Sequence, residues 1–470
     1  VTASLPAGFA SVNDTHSALN PTLTAGVVRV GSTAAVAAAV RAAAAAGRGV
    51  SICGARHAMG AQQFGTGAVL LDTAALGRVL AFDAARGLVE VEAGIRWPAL
   101  YDWLLRAQGE RAGAWTFRQK QTGADDLSIG GCLAANVHGR GLDLPPFVSE
   151  VEAFTLVDAS GAVRRCSRAE NADLFALAIG GYGLFGVIAT VTLRLAPRRK
   201  LRRVVEIREV DDLVQAFEAR RDAGFAYGDF QFSLDPASDA FLRRGVFSCY
   251  EPVADSLPIP AAQKSLSPSD WRRLVMLAHT DKAAAFEHYA RHYLATSGQI
   301  YWSDAHQLSV YLDGYHRDVD RVLGHRGSEV ITEIYVPRPR LADFMAAAAC
   351  DFRAHGVDAI YGTVRLIRRD DETFLAWARE DWACVIFNLH VRHDPAGLAH
   401  AAAAFRRLID LAIARGGSFY LTYHRHATRA QVEACHPRFA EFLRLKRRHD
   451  PDERFQSDWY RHYRNAFAAA

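Results

Sequence analysis

Two loops of small residues, set into an alternation of short apolar strands and helices, constrain this chain more than any other feature. The first, Cys53-Gly54-Ala55-Arg56-His57-Ala58-Met59-Gly60, follows an apolar run at 49–52. The second runs Ser128-Ile129-Gly130-Gly131-Cys132-Leu133-Ala134-Ala135 and on through Asn136-Val137-His138-Gly139-Arg140-Gly141. Around them the first two hundred residues alternate. Strands are expected at 27–30, 69–72, 79–82 and 88–92, and helices at 34–46, which Thr33 can cap, and 97–108, with Pro98 in its tolerated first turn. A hairpin at 152–157 and 163–166 turns on Asp158-Ala159-Ser160-Gly161, followed by a helix near 172–179 and a strand at 187–195. Small side chains let backbone N–H groups approach phosphate oxygens closely. The competing readings are an ordinary strand-to-helix turn for the first loop and tight helix packing on a sheet for the second.

A third glycine cluster, Gly181-Tyr182-Gly183-Leu184-Phe185-Gly186, satisfies GxGxxG. That fingerprint works only where a strand precedes it and a helix follows with its N-terminus at the pyrophosphate. Here a helix precedes and a strand follows, so a Rossmann-type site is rejected.

Beyond Pro197 the basic run 198–203 reads as a boundary. Strands are expected at 230–234, 333–336, 364–367, 384–391 and 418–423, with amphipathic helices at 211–223, 283–296, 339–355 and 400–414. This is an α+β unit with a largely antiparallel sheet flanked by helices. The tail, 431–470, is a basic and aromatic helix plus loop.

Composition excludes several classes. With 470 residues, 50% hydrophobic and 23% charged, the chain is globular and long enough for two or three domains. A net charge of +4 implies no polyanion-binding surface, hence no nucleic-acid partner. Five of the 55 basic residues are Lys, an Arg bias matched to the abundant Ala. The 7 cysteines form no CxxC and imply neither a disulfide framework nor a zinc cluster. No apolar run approaches the ~18 residues of a membrane span. The chain begins at Val1, so removal of an export signal or tag is expected, and the compartment stays open between cytoplasmic and exported. Glu287-His288 and His292 have helical metal-ligand spacing but no third partner, His424/His426 and Asp450 are equally incomplete, and no metal is expected.

The His57 loop, the Ser-Ile-Gly-Gly…His-Gly-Arg-Gly segment and residues 180–195 occur in the order found in vanillyl-alcohol oxidase (PCMH-type) flavoproteins, and the chain resembles that superfamily. It includes cytokinin dehydrogenases, alditol and aldonolactone oxidases, and decaprenylphosphoryl-ribose oxidase. Arg448-His449-Asp450-Pro451-Asp452-Glu453-Arg454-Phe455-Gln456-Ser457-Asp458 resembles the segment by which the sugar-oxidising branches return to the flavin domain. The resemblance implies an FAD-binding domain at 1–197, a substrate-binding domain at 198–430 and a C-terminal segment at 431–470. It implies FAD contacts from Cys53, Gly54, Ala55, Arg56, Ala58 and Met59, from Ser128, Gly130, Gly131, Ala134 and His138, and from the main chain of Ile188. His57 stands where many members attach the flavin 8α carbon. Two departures matter: Ala124 occupies the place of a second, cysteinyl attachment, and Ala58 stands where Ser or Thr is common.

In the substrate half the relatives' Glu-x-Arg pair corresponds to Thr363-Val364-Arg365, which keeps only the Arg. The relatives' C-terminal Lys is replaced within Tyr420-Leu421-Thr422-Tyr423-His424-Arg425-His426. A catalytic base is expected at Tyr423 or a neighbouring histidine. Strand alternation puts Tyr423 with Arg425 on one face and His424 on the other. A Tyr base needs its pKa lowered by Arg365 or Arg425. His390, in Asn388-Leu389-His390, is a further candidate, and Glu333 alternates on a strand without declaring its face.

The expected activity is FAD-dependent oxidation of a CH–OH group in a polyol, sugar or related small alcohol, with oxygen or another electron acceptor. Three alternatives remain: CH–NH oxidation as in cytokinin dehydrogenases, oxidation of a polyprenyl-phosphate sugar, and flavin binding without catalysis.

Overall fold

The computed structural model describes residues 5, 6, 8–310 and 312–468. The fold is α+β. Strands β1 (Ala10–Val12) and β2 (Thr22–Thr24) form a small antiparallel pair. β3 (Val27–Arg29), β4 (Val50–Cys53) and β5 (Val69–Asp72) form a parallel sheet with β5 in the middle. β6 (Val79–Asp83), β7 (Leu88–Glu92), β9 (Val151–Val157), β10 (Val163–Ser167) and β11 (Val187–Arg194) form an antiparallel sheet in the order β10-β9-β11-β7-β6. β8 (Trp115–Thr116) pairs with β12 (Ala196–Pro197). Helix α1 (Thr33–Ala45) lies between the two larger sheets because it is apolar on opposite sides. Its Val36 and Val40 share one core with Val69 and Leu71 of the parallel sheet and Val157 and Val187 of the antiparallel one. Its cap is Ser32, whose side chain accepts from the Ala35 N–H, one residue before the expected Thr33.

Helices α2 (Trp97–Gln108), α3 (Ile129–Ala135) and α4 (Ala172–Ala178) complete this half. The glycine cluster stands between α4 and β11, with a strand after it, as the rejection of a Rossmann site requires.

The second half is built on one antiparallel sheet of eight strands, ordered β16-β13-β15-β14-β18-β19-β17-β20. These are β13 (Lys200–Glu209), β14 (Tyr227–Phe232), β15 (Arg244–Val253), β16 (Ile300–Trp302), β17 (Gly327–Pro337), β18 (Ala359–Ile367), β19 (Trp382–Arg392) and β20 (Ser418–Phe419). Strand alternation divides β17 cleanly. Val330, Ile334 and Val336 enter the core with α5 (Leu213–Asp222), α9 (Leu341–His355) and α10 (Pro395–Ile413), while Glu329, Ile331 and Glu333 face a cavity. Helices α6 (Pro268–Thr280) and α7 (Lys282–Ala295) roof that cavity, and α8 (His316–Leu323) leads into β17.

A strand that was not expected begins within the basic run read as a boundary: β13, from Lys200, pairs through all ten residues with β15 and belongs to the eight-stranded sheet. The run's charges are accommodated, with the Arg198 Nε–Asp304 pair buried and Arg202 bonded to Glu251 across the ladder. The strand expected at 418–423 ends at Phe419 and gives way to a turn, so alternation says nothing about residues 420–426.

The tail forms α11 (Arg429–Cys435), α12 (Phe439–His449) and α13 (Asp458–Ala468). Between the last two the chain lies beside β4: the Val50 N–H donates to Arg454 O (2.6 Å) and the Gln456 N–H to Val50 O (2.7 Å). Asp450 holds that turn. Its carboxylate accepts from the N–H groups of Arg454 and Phe455, both at 2.8 Å, and pairs with the buried Lys446 at 2.8 Å. Among the described residues, no helix is long and apolar enough to cross a membrane.

Candidate active site

A cavity of about 750 Å³ separates the glycine loops from the eight-stranded sheet. Its first wall is backbone. The loop after β4 is fixed by its carbonyls: Arg56 O accepts from the Thr15 N–H, Ala58 O from Gln63 and Met59 O from Asn20. Arg56 adopts φ 59° and pairs with Asp72 at 2.9 Å. Ser128 caps α3, and glycine is required beside it. A Cβ on Gly54 would lie 2.2 Å from Ser128 Oγ, and one on Gly130 would lie 2.8 Å from Ala93 Cβ and 3.0 Å from Ala93 O.

Of the residues expected to contact FAD, Gly54, Ala55, Arg56, His57, Ala58, Met59, Ser128, Gly130, Gly131, Ala134 and Ile188 line the cavity. Cys53 does not. It packs with Val12, Phe64 and Leu70, and burial pushes its thiol up to about 12. His138 also stands back from the surface. Burial, reinforced by His16, brings the His57 imidazole down to about 4, so it is neutral at pH 7.

The wall fits a long ligand rich in hydrogen-bonding groups. Gln63 Oε1, Thr122 Oγ1 and His16 Nε2 line it, are buried, and have no hydrogen-bond partner among the described residues. Buried polar atoms are rarely left so, and three along one cavity point to an occupant that satisfies them.

The opposite wall carries a cluster of ionisable and hydroxyl groups centred on Glu333, a carboxylate with no solvent exposure. The Tyr423 hydroxyl donates to its Oε1 at 2.8 Å, and the Tyr335 hydroxyl and His138 Nε2 meet its Oε2 at 2.9 Å each. Cys384 Sγ lies 3.8 Å from His138 Nε2. Burial alone would raise the Glu333 carboxyl, but His138 and the two tyrosine donors outweigh it and hold the group below its ordinary range. Arg365 is buried on the same wall. Its Nη1 donates to Gly139 O at 3.3 Å, while its Nε has no partner among the described residues.

Among the expected catalytic residues, then, Tyr423 and Arg365 meet at the cavity and the others do not. Burial and the Glu333 charge raise the Tyr423 phenol well above its ordinary value, opposite to what a tyrosine base needs. Its proton is committed to Glu333. His424 is buried against Phe405 and bonded to Thr332 Oγ1 at 3.2 Å. Arg425 is outside the cavity because the chain turns after Phe419. His390 is the cross-strand partner of Glu329 on the cavity side of the sheet but does not line the cavity, and it bonds to His325 and Glu329. Glu333 of β17 puts a carboxylate on the same wall as Arg365, where Thr363-Val364-Arg365 itself has none. The signal for it was a lone acid in the apolar alternation Ile331, Glu333, Tyr335.

Comparison with known proteins agrees with this geometry. Residues 24–167 match a family profile described as an FAD-binding domain. Decaprenylphosphoryl-β-D-ribose oxidase of Mycolicibacterium smegmatis is 24% identical over 442 residues, covering 91% of each chain. L-gulono-1,4-lactone dehydrogenase of Mycobacterium tuberculosis is 25% identical over 411 residues, 84% of this chain and 86% of that one. L-gulonolactone oxidase of Mus musculus is 35% identical over 124 residues, 26% of each chain. With an FAD-binding profile at residues 24–167 and relatives aligned over 84–91% of its length, the chain carries a PCMH-type FAD-binding domain and is an FAD-dependent oxidoreductase.

Proposed function

We propose that the protein oxidises a CH–OH group of a sugar, sugar lactone or polyol. The observation that carries this reading is the buried Tyr423–Glu333–His138 chain facing the glycine-lined wall. FAD, when bound, accepts the hydride from the substrate carbon. The residues named above as lining the glycine wall would hold it, and the units 1–197, 198–430 and 431–470 would serve as flavin, substrate and returning segments. A substrate hydroxyl donates to the Tyr423 oxygen while the Tyr423 proton moves to Glu333 Oε1, leaving a carbonyl on the substrate. Arg365 Nε donates to the same substrate oxygen and orients it. His138 fixes Glu333 and stabilises its charge between turnovers. The relatives' names support a sugar-type donor: one is called an oxidase of a phosphoryl-ribose, another a dehydrogenase of a lactone. Electrons leave to oxygen or another small acceptor.

A neutral His57 beside this wall retains the nucleophilic lone pair that attachment to the flavin 8α carbon uses, and we assign it that role. Acid precipitation tests this directly: yellow colour stays with the protein and is released from His57→Ala.

A second reading, oxidation of a sugar carried on a polyprenyl phosphate, is favoured by one observation. The cavity continues beneath α6 and α7 along Trp271, Leu274, Val275 and Phe286, an apolar path next to Arg203 and Lys282. Anaerobic mixing with free sugars, lactones, polyols, amines and a polyprenyl-phosphate sugar separates the readings. Bleaching by free hydroxy compounds supports the first, and bleaching by the lipid-linked sugar alone supports the second. Bleaching by amines alone would mean CH–NH oxidation, and bleaching by none would mean flavin binding without catalysis.

A further inference from the structure

Four residues before Glu333, on the same face of β17, a second buried carboxylate gathers histidines from elements far apart in the chain. Glu329 Oε1 lies 3.1 Å from His279 Nε2 of α6 and 3.3 Å from His390 Nδ1 of β19. Its Oε2 lies 3.1 Å from His316 Nδ1 and accepts from the Tyr315 hydroxyl at 2.5 Å. The nitrogen of His279, the nitrogen of His390 and the oxygen of Glu329 all fall within 4.8 Å of one another.

Glu329 and His390 have hydrogen-bond partners, but His279 does not. The His279 side chain has no solvent exposure, yet neither of its ring nitrogens has a hydrogen-bond partner among the described residues. Its Nε2 sits near the carboxylate without the direction of a bond. Leaving such a group unpaired costs about 1–3 kcal/mol. His390 adds a tautomer argument. Its Nε2 is 2.9 Å from His325 Nε2, so one of the two nitrogens must donate. With His325 as the donor, His390 Nδ1–H donates to Glu329; with His390 Nε2–H as the donor, its Nδ1 lone pair faces the carboxylate, the arrangement that a cation between them accepts. Ligands around a tetrahedral zinc-class ion at ~2.0–2.1 Å are about 3.3 Å apart, close to the separations found here.

We infer that His279 Nε2, Glu329 Oε1 and His390 Nδ1 bind one zinc-class divalent cation, with the fourth position open towards His316. His390 Nε2–H then donates to His325, the usual arrangement in which a ligating imidazole is oriented through its other nitrogen. The ion acts as a clamp. Helix α6 has no fully buried residue of its own, and its Trp271, Leu274 and Val275 form the cavity roof. His279, one turn beyond Val275, is where that roof meets β17. At a strand rise of ~3.4 Å per residue, Glu329 lies about 14 Å from Glu333, so the clamp holds the roof without touching the reacting end. Ligands drawn from α6, β17 and β19 have no sequence spacing, which is why inspection of the sequence yields no metal site.

The experiment uses the full-length flavoprotein, stripped with a chelator, desalted and titrated with Zn²⁺ alone. Elemental analysis should then give about one zinc per chain. Co²⁺ in its place should give visible bands at wavelengths beyond the flavin absorption. His279→Ala and His390→Gln should each lower retained zinc at least tenfold while flavin content stays at the wild-type level. Wild-type protein that retains no zinc after desalting overturns the inference, whatever the variants do. So does a folded, yellow His279→Ala protein that still holds one zinc per chain.

Discussion

At the residue scale, burial sets the chemistry of a few side chains. Glu333 is held below its ordinary range although fully enclosed, because two tyrosine hydroxyls donate to it and His138 Nε2 lies beside it. Glu333→Gln keeps the shape and removes the proton acceptor. Its flavin reduction rate should fall about 10²–10⁴-fold, the usual worth of a positioned acid–base group, with flavin content unchanged. Tyr423→Phe should slow reduction by a smaller factor. The pH dependence follows from the sign of the shift. Glu333 acts as its anion and its carboxyl lies below the ordinary 4.5, so activity persists through that value and is lost only at lower pH. Reduction rates measured from pH 5 upward should therefore show no acid limb near the ordinary histidine value. Little of this was legible beforehand. Tyr423 and Arg365 were reached through the resemblance, but Glu333 takes its partner from His138, 195 positions away, a pairing no local pattern records.

At the element scale, contiguous signals were readable and assembled ones were not. The loop after β4 and the start of α3 each lie within one short segment, and small residues at fixed positions announced them. The close approach of Gly130 to Ala93 makes a specific prediction. Gly130→Ala pushes a methyl into backbone with no flexible neighbour to yield. It should cost about 1–3 kcal/mol and lower bound flavin, read as a reduced ratio of visible to protein absorbance. Gln62 offers a gentler probe. Its amide reaches Thr422 O at 2.6 Å and ties the flavin loop to the segment that presents Tyr423. Conversely, β13 is not readable as a strand because Arg202, Arg203 and Arg208 interrupt its apolar positions, so the basic run reads as a boundary. His424 and Arg425 were misplaced for the opposite reason, since alternation was extended past Phe419 into a turn.

At the scale of the whole molecule, the tail and the histidines control stability. The buried Lys446–Asp450 pair holds the turn that lays residues 454–456 beside β4. Asp450→Ala strands a buried lysine and frees two backbone donors, and should destabilise by about 3–5 kcal/mol in denaturant unfolding. Acid should also destabilise the fold. Burial depresses His57 to about 4, His426 to about 4 and His436 to about 3. Between those values and 6.5 the unfolded chain binds protons that the folded chain refuses, so stability falls as pH drops through that window. The melting temperature should be lower at pH 5 than at pH 7.

The central claim is that Glu333 receives, through Tyr423, the proton of an alcohol whose hydride goes to FAD. Stopped-flow reduction of the flavin under anaerobic conditions, comparing wild type with Glu333→Gln on the hydroxy donor that bleaches the wild type fastest, tests it most directly. The account predicts a rate constant lowered by about 10² or more in a protein that still carries its full flavin. Reduction of Glu333→Gln at the wild-type rate would contradict it.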